Sequence, residues 1–210
     1  MKNFDNSYLT ENIRFIAGTD EVGRGPLAGP VVAAAVIFEP DVFIEGVNDS
    51  KQLTEKERED LLPQILEKCL ACSVSVISHV WIERINILRA SILAMTTSVD
   101  RLKVKPDLIL VDGNKGLDHL VHSIPIIKGD SKSFAIASSS IIAKVARDRI
   151  MKRLHNYYPQ YSWSKNKGYG TAEHIAAIKS FGPSPLHRMS FLRNILFEIN
   201  SRRLEIETEQ

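Results

Sequence analysis

The sequence predicts an α/β fold: a mixed five-stranded sheet flanked by helices, with a helical C-terminal part. Three observations carry this. Val31–Phe38 is continuously apolar, as a strand covered on both faces must be. Strand patterns come first, then alternate with helices, and finally give way to helices alone. Trp81–Leu102 and Ser139–His155 repeat apolar residues at helical spacing.

Element by element, Phe15–Glu21 and Gly29–Phe38 read as the first two strands. Thr54-Glu55-Lys56-Glu57 is a capping box that opens a helix running towards Cys69, with a kink expected at Pro63. Ser73–Val80, partly alternating and β-branched, is the third strand. Trp81–Leu102 follows as one helix, with Ile82, Ile85, Leu88, Ile92, Met95 and Val99 in register. Asp107–Val111 and Ser123–Lys128 are the last two strands. Ser139–His155 then aligns Ile142, Ala146, Ile150 and Leu154, and Thr171 caps a helix that closes at Gly182-Pro183. Ser190–Leu204 is a last, peripheral helix, so residues 1–190 form one domain and 191–210 a helical tail.

Composition limits the function classes. Hydrophobic residues at 44% and charged residues at 25% are those of an ordered globular chain. Met1–Asn12 lacks the pattern of a signal peptide, and no apolar run is long enough to span a bilayer, so a cytoplasmic protein without a membrane partner is expected. Cys69 and Cys72 form a C-x-x-C without further zinc ligands except His79 nearby, and are read as packing residues. The net charge of +2 is uninformative, but its distribution is not. Lys144, Arg147, Arg149, Lys152, Arg153, Lys165 and Lys167 face a single acid, Asp148. Such a run is either the footprint of a polyanion or a solvated helix face. Asp148 itself is expected to pair with Lys144 or Lys152, each one helical turn away, in preference to a metal role.

Asp20-Glu21-Val22-Gly23-Arg24-Gly25 carries the chemistry. Two carboxylates at a strand end offer hard oxygen ligands to a cation such as Mg²⁺. The Gly-Arg-Gly that follows can bring backbone amides and a guanidinium to a phosphodiester. A phosphate-binding P-loop is excluded, because Arg24-Gly25 stands where Lys-Ser/Thr is needed. Taken singly, each acid has a plainer use: a solvated turn for Asp20-Glu21, a turn for Asp112, a helix cap for Asp130. Yet all four fall at strand ends, where functional groups gather in such sheets. Two unit charges ~4 Å apart repel by about 4 kcal/mol at an effective dielectric near 20, so a cluster of four needs divalent cations to stay ionised.

These residues belong to a wider pattern. Gly18–Pro30, Asn48-Asp49-Ser50-Lys51-Gln52-Leu53-Thr54, Val111-Asp112-Gly113-Asn114 and Lys128-Gly129-Asp130-Ser131-Lys132 closely resemble the ribonuclease HII family, the type 2 branch of ribonuclease H. The likeness continues through Ile142–Asp148, Lys167-Gly168-Tyr169-Gly170-Thr171 and His187-Arg188-Met189-Ser190-Phe191. It extends from about Ile13 to Phe191, and the short N-terminus is that of type 2 rather than type 3 enzymes. Asn166, Glu83-Arg84-Ile85-Asn86 and Ser138-Ser139 depart from the family pattern without touching the acids.

The resemblance implies a ribonuclease H-like fold and an endoribonuclease acting on RNA/DNA hybrids and on DNA duplexes containing ribonucleotides. It assigns Asp20, Glu21, Asp112 and Asp130 to catalysis and to binding Mg²⁺ or Mn²⁺, two ions per site in the substrate complex. It sets Gly23, Arg24 and Gly25 against the scissile ribose and makes Tyr169 the reader of the RNA–DNA junction, where the residues alone suggest a core aromatic. Ser50, Lys51, Lys144, Arg147 and Arg188 are the expected phosphate contacts. Because neighbouring strand residues face opposite ways, either the strand breaks at Glu21 or Glu21 offers its carbonyl to a metal. The rivals are a silent hybrid-binding module, a junction-resolving nuclease and a small-molecule phosphatase. A monomer is expected, and a sliding clamp remains an unsupported partner, since no clamp-binding motif is evident.

Overall fold

The computed structural model describes residues 1–198. Strands β1 (Ile16–Val22), β2 (Val31–Ile37), β3 (Ala71–Ile77), β4 (Leu108–Asp112) and β5 (Ser123–Ile126) form one sheet in the order β3-β2-β1-β4-β5. β2 runs antiparallel to both β1 and β3, while β4 and β5 run parallel to β1. The sheet is therefore mixed, as expected. Pro125 is tolerated in β5 because that strand is an edge.

Strand alternation sorts β2 between two helical layers. Val31, Ala33, Ala35 and Ile37 pack against α4 (Ile87–Asp100), with α3 (His79–Ile85) beside it. Ala34 and Val36 join the layer of α2 (Glu55–Lys68) and α5 (Phe134–His155). Every β2 residue is buried, which explains its unbroken apolar run. Cys69 and Cys72 are free and pack on the α2–α5 side.

The helix expected over Trp81–Leu102 is two helices. Asn86 takes φ 65° with ψ 166°, a strained backbone conformation rarely adopted by residues other than glycine, and its side chain accepts the Arg89 amide at 3.1 Å to start α4. Apolar periodicity continues across the break and conceals it. The capping box at Thr54 is present, and α2 runs through Pro63 to Lys68. A short N-terminal helix, α1 (Lys2–Asn6), was not legible; its buried Asp5 accepts the Ala135 amide at 2.9 Å and so caps α5. Helix α5 starts at Phe134 rather than Ser139, capped also by Ser133.

After α5 the chain forms α6 (Trp163–Asn166) and α7 (Ala172–Phe181), packed around Ala28, Met151, Tyr161, Trp163 and Leu192. Residues 193–198 are helical, and the remainder of the expected last helix lies outside the described residues. This part ties back to the sheet end. Leu27 donates to the Gly168 carbonyl at 2.8 Å, and Arg188 donates its backbone N–H to the Leu27 carbonyl at 2.8 Å.

Helix α5 lies directly across β1 at Gly18, where a Cβ would run into the backbone of Ala135 and Ile136. The close approach sets how deep α5 sits beside the strand that ends in Asp20. Gly18→Ala is expected to cost about 1–3 kcal/mol through overpacking, read as a lower denaturant midpoint at unchanged slope. An unchanged midpoint would mean the two elements separate freely.

Candidate active site

The pairing of Thr19 with Val111 puts Asp20 and Asp112 next to each other on adjacent strands. Alternation then sorts the acids by face. Thr19 bonds Ser98 on the α4 side, so Asp20 turns towards α5, where Ser140 reaches its carboxyl. Leu108 and Leu110 pack against Ile136 of α5, which puts Asp112 on that side as well. Asp130 arrives on a 3₁₀ turn, Gly129–Ser131, and the Gly129 amide donates to Asp112 at 2.7 Å. Glu21 takes the opposite face, beside Ser91 and Met95 of α4, in a hollow that Asp112 also lines. β1 does not break at Glu21: its pairing with β2 continues through Val22.

The electrostatics are those of a crowded carboxylate group. Burial raises the Asp20 pKa well above the ordinary aspartate value, and Glu21 and Asp112 push it further. Glu21 is raised by burial and by Asp112, against the opposing pull of Arg24. Asp112 is raised by burial and then by Asp130. Two cations answer these charges: Lys51 lies 3.1 Å from Asp130, and Arg24 lies 3.2 Å from Glu21.

In chemistry the donors suit a hard divalent ion, since all are carboxylate oxygens. Among the described residues, no three His, Cys, Asp or Glu side chains already stand close enough together to hold one. Lys51 and Arg24 occupy two of the four acids instead.

The expected phosphate contacts divide. Lys51 is exposed but faces Asp130. Ser50 is buried, its hydroxyl 2.8 Å from Ser140, and so supports the residue that reaches Asp20. Arg147 and Arg188, expected to contact phosphates, are both fully buried and bind backbone carbonyls. Arg147 donates to Pro30, Lys167 and Ala28 at 3.0, 2.9 and 3.3 Å. Arg188 donates to Gly23, Arg24 and Gly29 at 2.7, 3.0 and 2.9 Å. Lys144 lies 2.7 Å from Asp148, which Arg58 also approaches at 3.8 Å, while Lys152 pairs with Glu55 and Arg149 with Glu59. Most of the basic run is thus spent inside the protein.

Gly-Arg-Gly is shaped by these arginines. Gly23 has φ 100°, and a Cβ there would strike the Arg147 side chain. Gly25 is open, its nearest neighbour being the Tyr169 ring at 3.8 Å. Tyr169 is 41% exposed, and the Arg147 guanidinium lies 5.8 Å from its ring centre, so the loop and the aromatic form one surface.

Comparison with known proteins agrees with this geometry. The family profile of ribonuclease HII matches residues 17–194. The chain belongs to the ribonuclease HII family. It is a ribonuclease H, an endonuclease of RNA/DNA hybrids. A ribonuclease HII from Caldicellulosiruptor bescii is 49% identical over 91% of this chain and 93% of its own. The ribonuclease H2 from Pyrococcus horikoshii superposes with a TM-score of 0.73 at 27% identity, covering 89% of this chain and 99% of that one. The ribonuclease HII from Archaeoglobus fulgidus, solved as a PCNA complex, gives 0.68 at 26%, covering 83% and 94%.

Some supporting residues escaped the sequence reading. Ser140, linking Ser50 to Asp20, was detectable only as a polar residue inside an apolar helix. Asn166 is a turn fastener, binding the Tyr161 carbonyl at 2.7 Å and the Gly168 amide at 2.8 Å. Glu83 accepts the Ser190 hydroxyl at 2.7 Å and ties α3 to the last motif.

The raised carboxyls make metal-free stability fall as pH rises. Above the ordinary aspartate value of 3.8 and up to the raised folded values, the folded chain holds more protons than the unfolded one. In that window each unit of pH therefore favours unfolding. Asp20→Asn removes the largest contributor and is expected to melt no lower than wild type in chelator-treated neutral buffer, with a flatter dependence on pH. Melting curves from about pH 5 to about pH 8 check this. A lower melting temperature with the same pH slope would mean the Asp20 charge is not strained.

Proposed function

We propose that the enzyme cleaves the RNA strand of hybrids and also cuts on the 5′ side of single ribonucleotides embedded in duplex DNA, leaving 3′-hydroxyl and 5′-phosphate ends. The observation that carries this reading is the open Gly25 backbone beside the exposed Tyr169 ring, on the loop that follows Asp20 and Glu21. A bare backbone can come within hydrogen-bond range of a 2′-hydroxyl, the group that tells RNA from DNA. An aromatic face beside it can pack on the following sugar, whose missing hydroxyl leaves an apolar edge.

Asp20, Glu21, Asp112 and Asp130 would hold the Mg²⁺ or Mn²⁺ ions. Bound as a pair, the ions supply activation of the attacking water and stabilisation of the leaving 3′-oxygen. The protein's own groups do the rest. Gly23, Arg24 and Gly25 meet the scissile ribonucleotide, with the Arg24 side chain at the surface. Lys51 and Lys144, paired with Asp130 and Asp148 in the free protein, would take the phosphates, whereas Arg147 and Arg188 hold the loop that would receive the sugar. No helix among the described residues is long and apolar enough to cross a membrane. The Archaeoglobus relationship makes a sliding clamp a candidate partner.

A DNA duplex carrying one ribonucleotide is the direct test. With Mg²⁺ or Mn²⁺ it should be cut once, on the 5′ side of the ribonucleotide, and chelator should abolish the cut. Cleavage of long hybrids alone would overturn the embedded-ribonucleotide activity.

Gly25→Ala separates substrate approach from folding. Its Cβ has room in the protein, so the melting temperature should stay within the few tenths of a kcal/mol usual for surface changes. Cleavage should nevertheless fall at least about tenfold, because the methyl stands where the ribose must come. Wild-type cleavage would place the ribose elsewhere.

A further inference from the structure

Tyr169 presents a partly exposed ring from a backbone that is fixed, and the fixing groups have no place in the reading above. Its N–H donates to the Asn166 carbonyl at 2.9 Å, and its own carbonyl accepts the Thr171 amide at 2.9 Å. The same carbonyl lies 2.8 Å from Nδ1 of His174, on α7. His174 is fully buried, and His187 is buried beside it.

The protons in this cluster can be placed from their partners. A carbonyl only accepts, so His174 carries its hydrogen on Nδ1. Its Nε2 is then bare and accepts the Trp163 indole N–H at 3.0 Å; an indole can only donate, which requires the same tautomer. Nε2 of His187 lies 3.1 Å from that bare nitrogen and must therefore donate. This leaves Nδ1 of His187 as an acceptor, and it meets the Ser184 backbone N–H and hydroxyl, both at 2.9 Å. The assignment closes from both ends. Donation runs from Ser184 through His187 and His174 to the Tyr169 carbonyl.

The surroundings keep both rings neutral. Trp163 and Tyr161 pack against them. Burial, then the neighbouring His174, lowers the His187 pKa to about 4. His79 is the further titratable group beside His187; burial lowers its own pKa, and Arg188 and Glu83 act on it with opposite sign. A charged imidazole would set two N–H groups against each other and break the chain.

We propose that His174 and His187 are positioning residues: a neutral imidazole pair of opposite tautomers that fixes the Tyr169 carbonyl and thereby the stance of its ring beside Gly25. The proposal rests on the reading of Tyr169 as the surface that packs on the sugar after the ribonucleotide. It assigns to α7 and the His187–Phe191 segment a part in substrate choice, although neither reaches the substrate. A site 1 Å out of place loses rate steeply, so a carbonyl released from its donor should show in selectivity.

Two substitutions at one position separate positioning from packing. Asparagine can put its amide N–H where Nδ1 stands and still donate to the Tyr169 carbonyl. Glutamine puts its amide where Nε2 stands and leaves that carbonyl without the donor. Both lose the ring and should melt lower than wild type by similar amounts. The measurement is kcat/KM on a duplex with one embedded ribonucleotide, relative to a continuous RNA/DNA hybrid, with Tyr169→Ala as reference. His174→Gln should lower that ratio by about tenfold, the scale of one lost buried hydrogen bond, towards the Tyr169→Ala value. His174→Asn should keep it within about twofold of wild type.

A parallel fall of both activities in both variants would overturn the proposal and leave the pair a packing element. So would a wild-type ratio in His174→Gln while Tyr169→Ala lowers it. If Tyr169→Ala itself leaves the ratio unchanged, the reading of Tyr169 falls and takes the proposal with it, so the two failures are distinguished. Nitrogen NMR of the wild-type imidazoles needs no variant to fold. It should find His174 protonated at Nδ1 and His187 at Nε2 across neutral pH, and any other tautomer pair would overturn the proposal.

Discussion

A buried carboxylate at the end of the central strand is the constraint on which this structure turns. Asp20 sits among Glu21, Asp112 and the helix α5, and its charge is opposed first by burial and then by its neighbours. A folded protein retains such a group only if surrounding structure holds it there. β1 supplies the rigid frame, paired on both sides. Gly18 lets α5 close over that frame, and Ser140, backed by Ser50, brings a hydroxyl to the acid. Neutral donors suit this place better than a fixed cation. A hydroxyl can turn to serve whichever protonation or metal state the acid adopts, whereas a buried guanidinium would commit it to one.

The guanidiniums are used elsewhere, and for a different purpose. Arg147 and Arg188 give their side-chain hydrogen bonds to backbone carbonyls, so they act as many-armed donors to a loop that has few internal bonds of its own. The Gly23–Gly29 turn needs such help because its glycines, useful for close approach to a substrate, supply no side chains to pack. Placing arginines beneath the turn gives it rigidity without covering its outer surface. Gly23 faces inward onto Arg147, and Gly25 faces outward beside Tyr169. One motif thus contains one glycine required by the protein and another left open to whatever approaches from outside.

The sheet was legible because β2 is apolar without interruption and the other strands end at punctuating residues such as Asp112-Gly113. The break at Asn86 was not, since its consequence is a backbone angle and the apolar spacing continues through it. Nor was α1, which is too short to carry a periodic signal and owes its place to Asp5 on α5. The placement of Asp20, Asp112 and Asp130 about the end of the sheet followed from reading them at strand ends. The fate of the basic residues did not. Charge along a sequence says nothing about which side of a helix is covered, and Arg147 lies on the buried side while Arg149 pairs with Glu59 at the surface. Likewise Asn166 reads only as a departure from the family pattern, and its amide is spent holding the turn before Tyr169.

The result is a site in which positive charge near the acids is scarce and shared. Lys51 stands 3.1 Å from Asp130 and Arg24 stands 3.2 Å from Glu21. An ammonium engaged with a carboxylate cannot at the same moment neutralise a phosphate, and the phosphate term dominates nucleic-acid affinity. On the proposed reading, divalent ions that take over the carboxylates would free those two side chains for the substrate backbone. Metal loading and nucleic-acid binding would then be linked through the same pair of residues, each strengthening the other to the same extent. On the proposed reading, discrimination between sugars would fall to groups that carry no charge: the Gly25 backbone, the Tyr169 ring and the neutral imidazoles behind it. Such contacts are short-ranged, so affinity would respond to salt and metal while the choice of sugar would depend on local hydrogen bonding and shape.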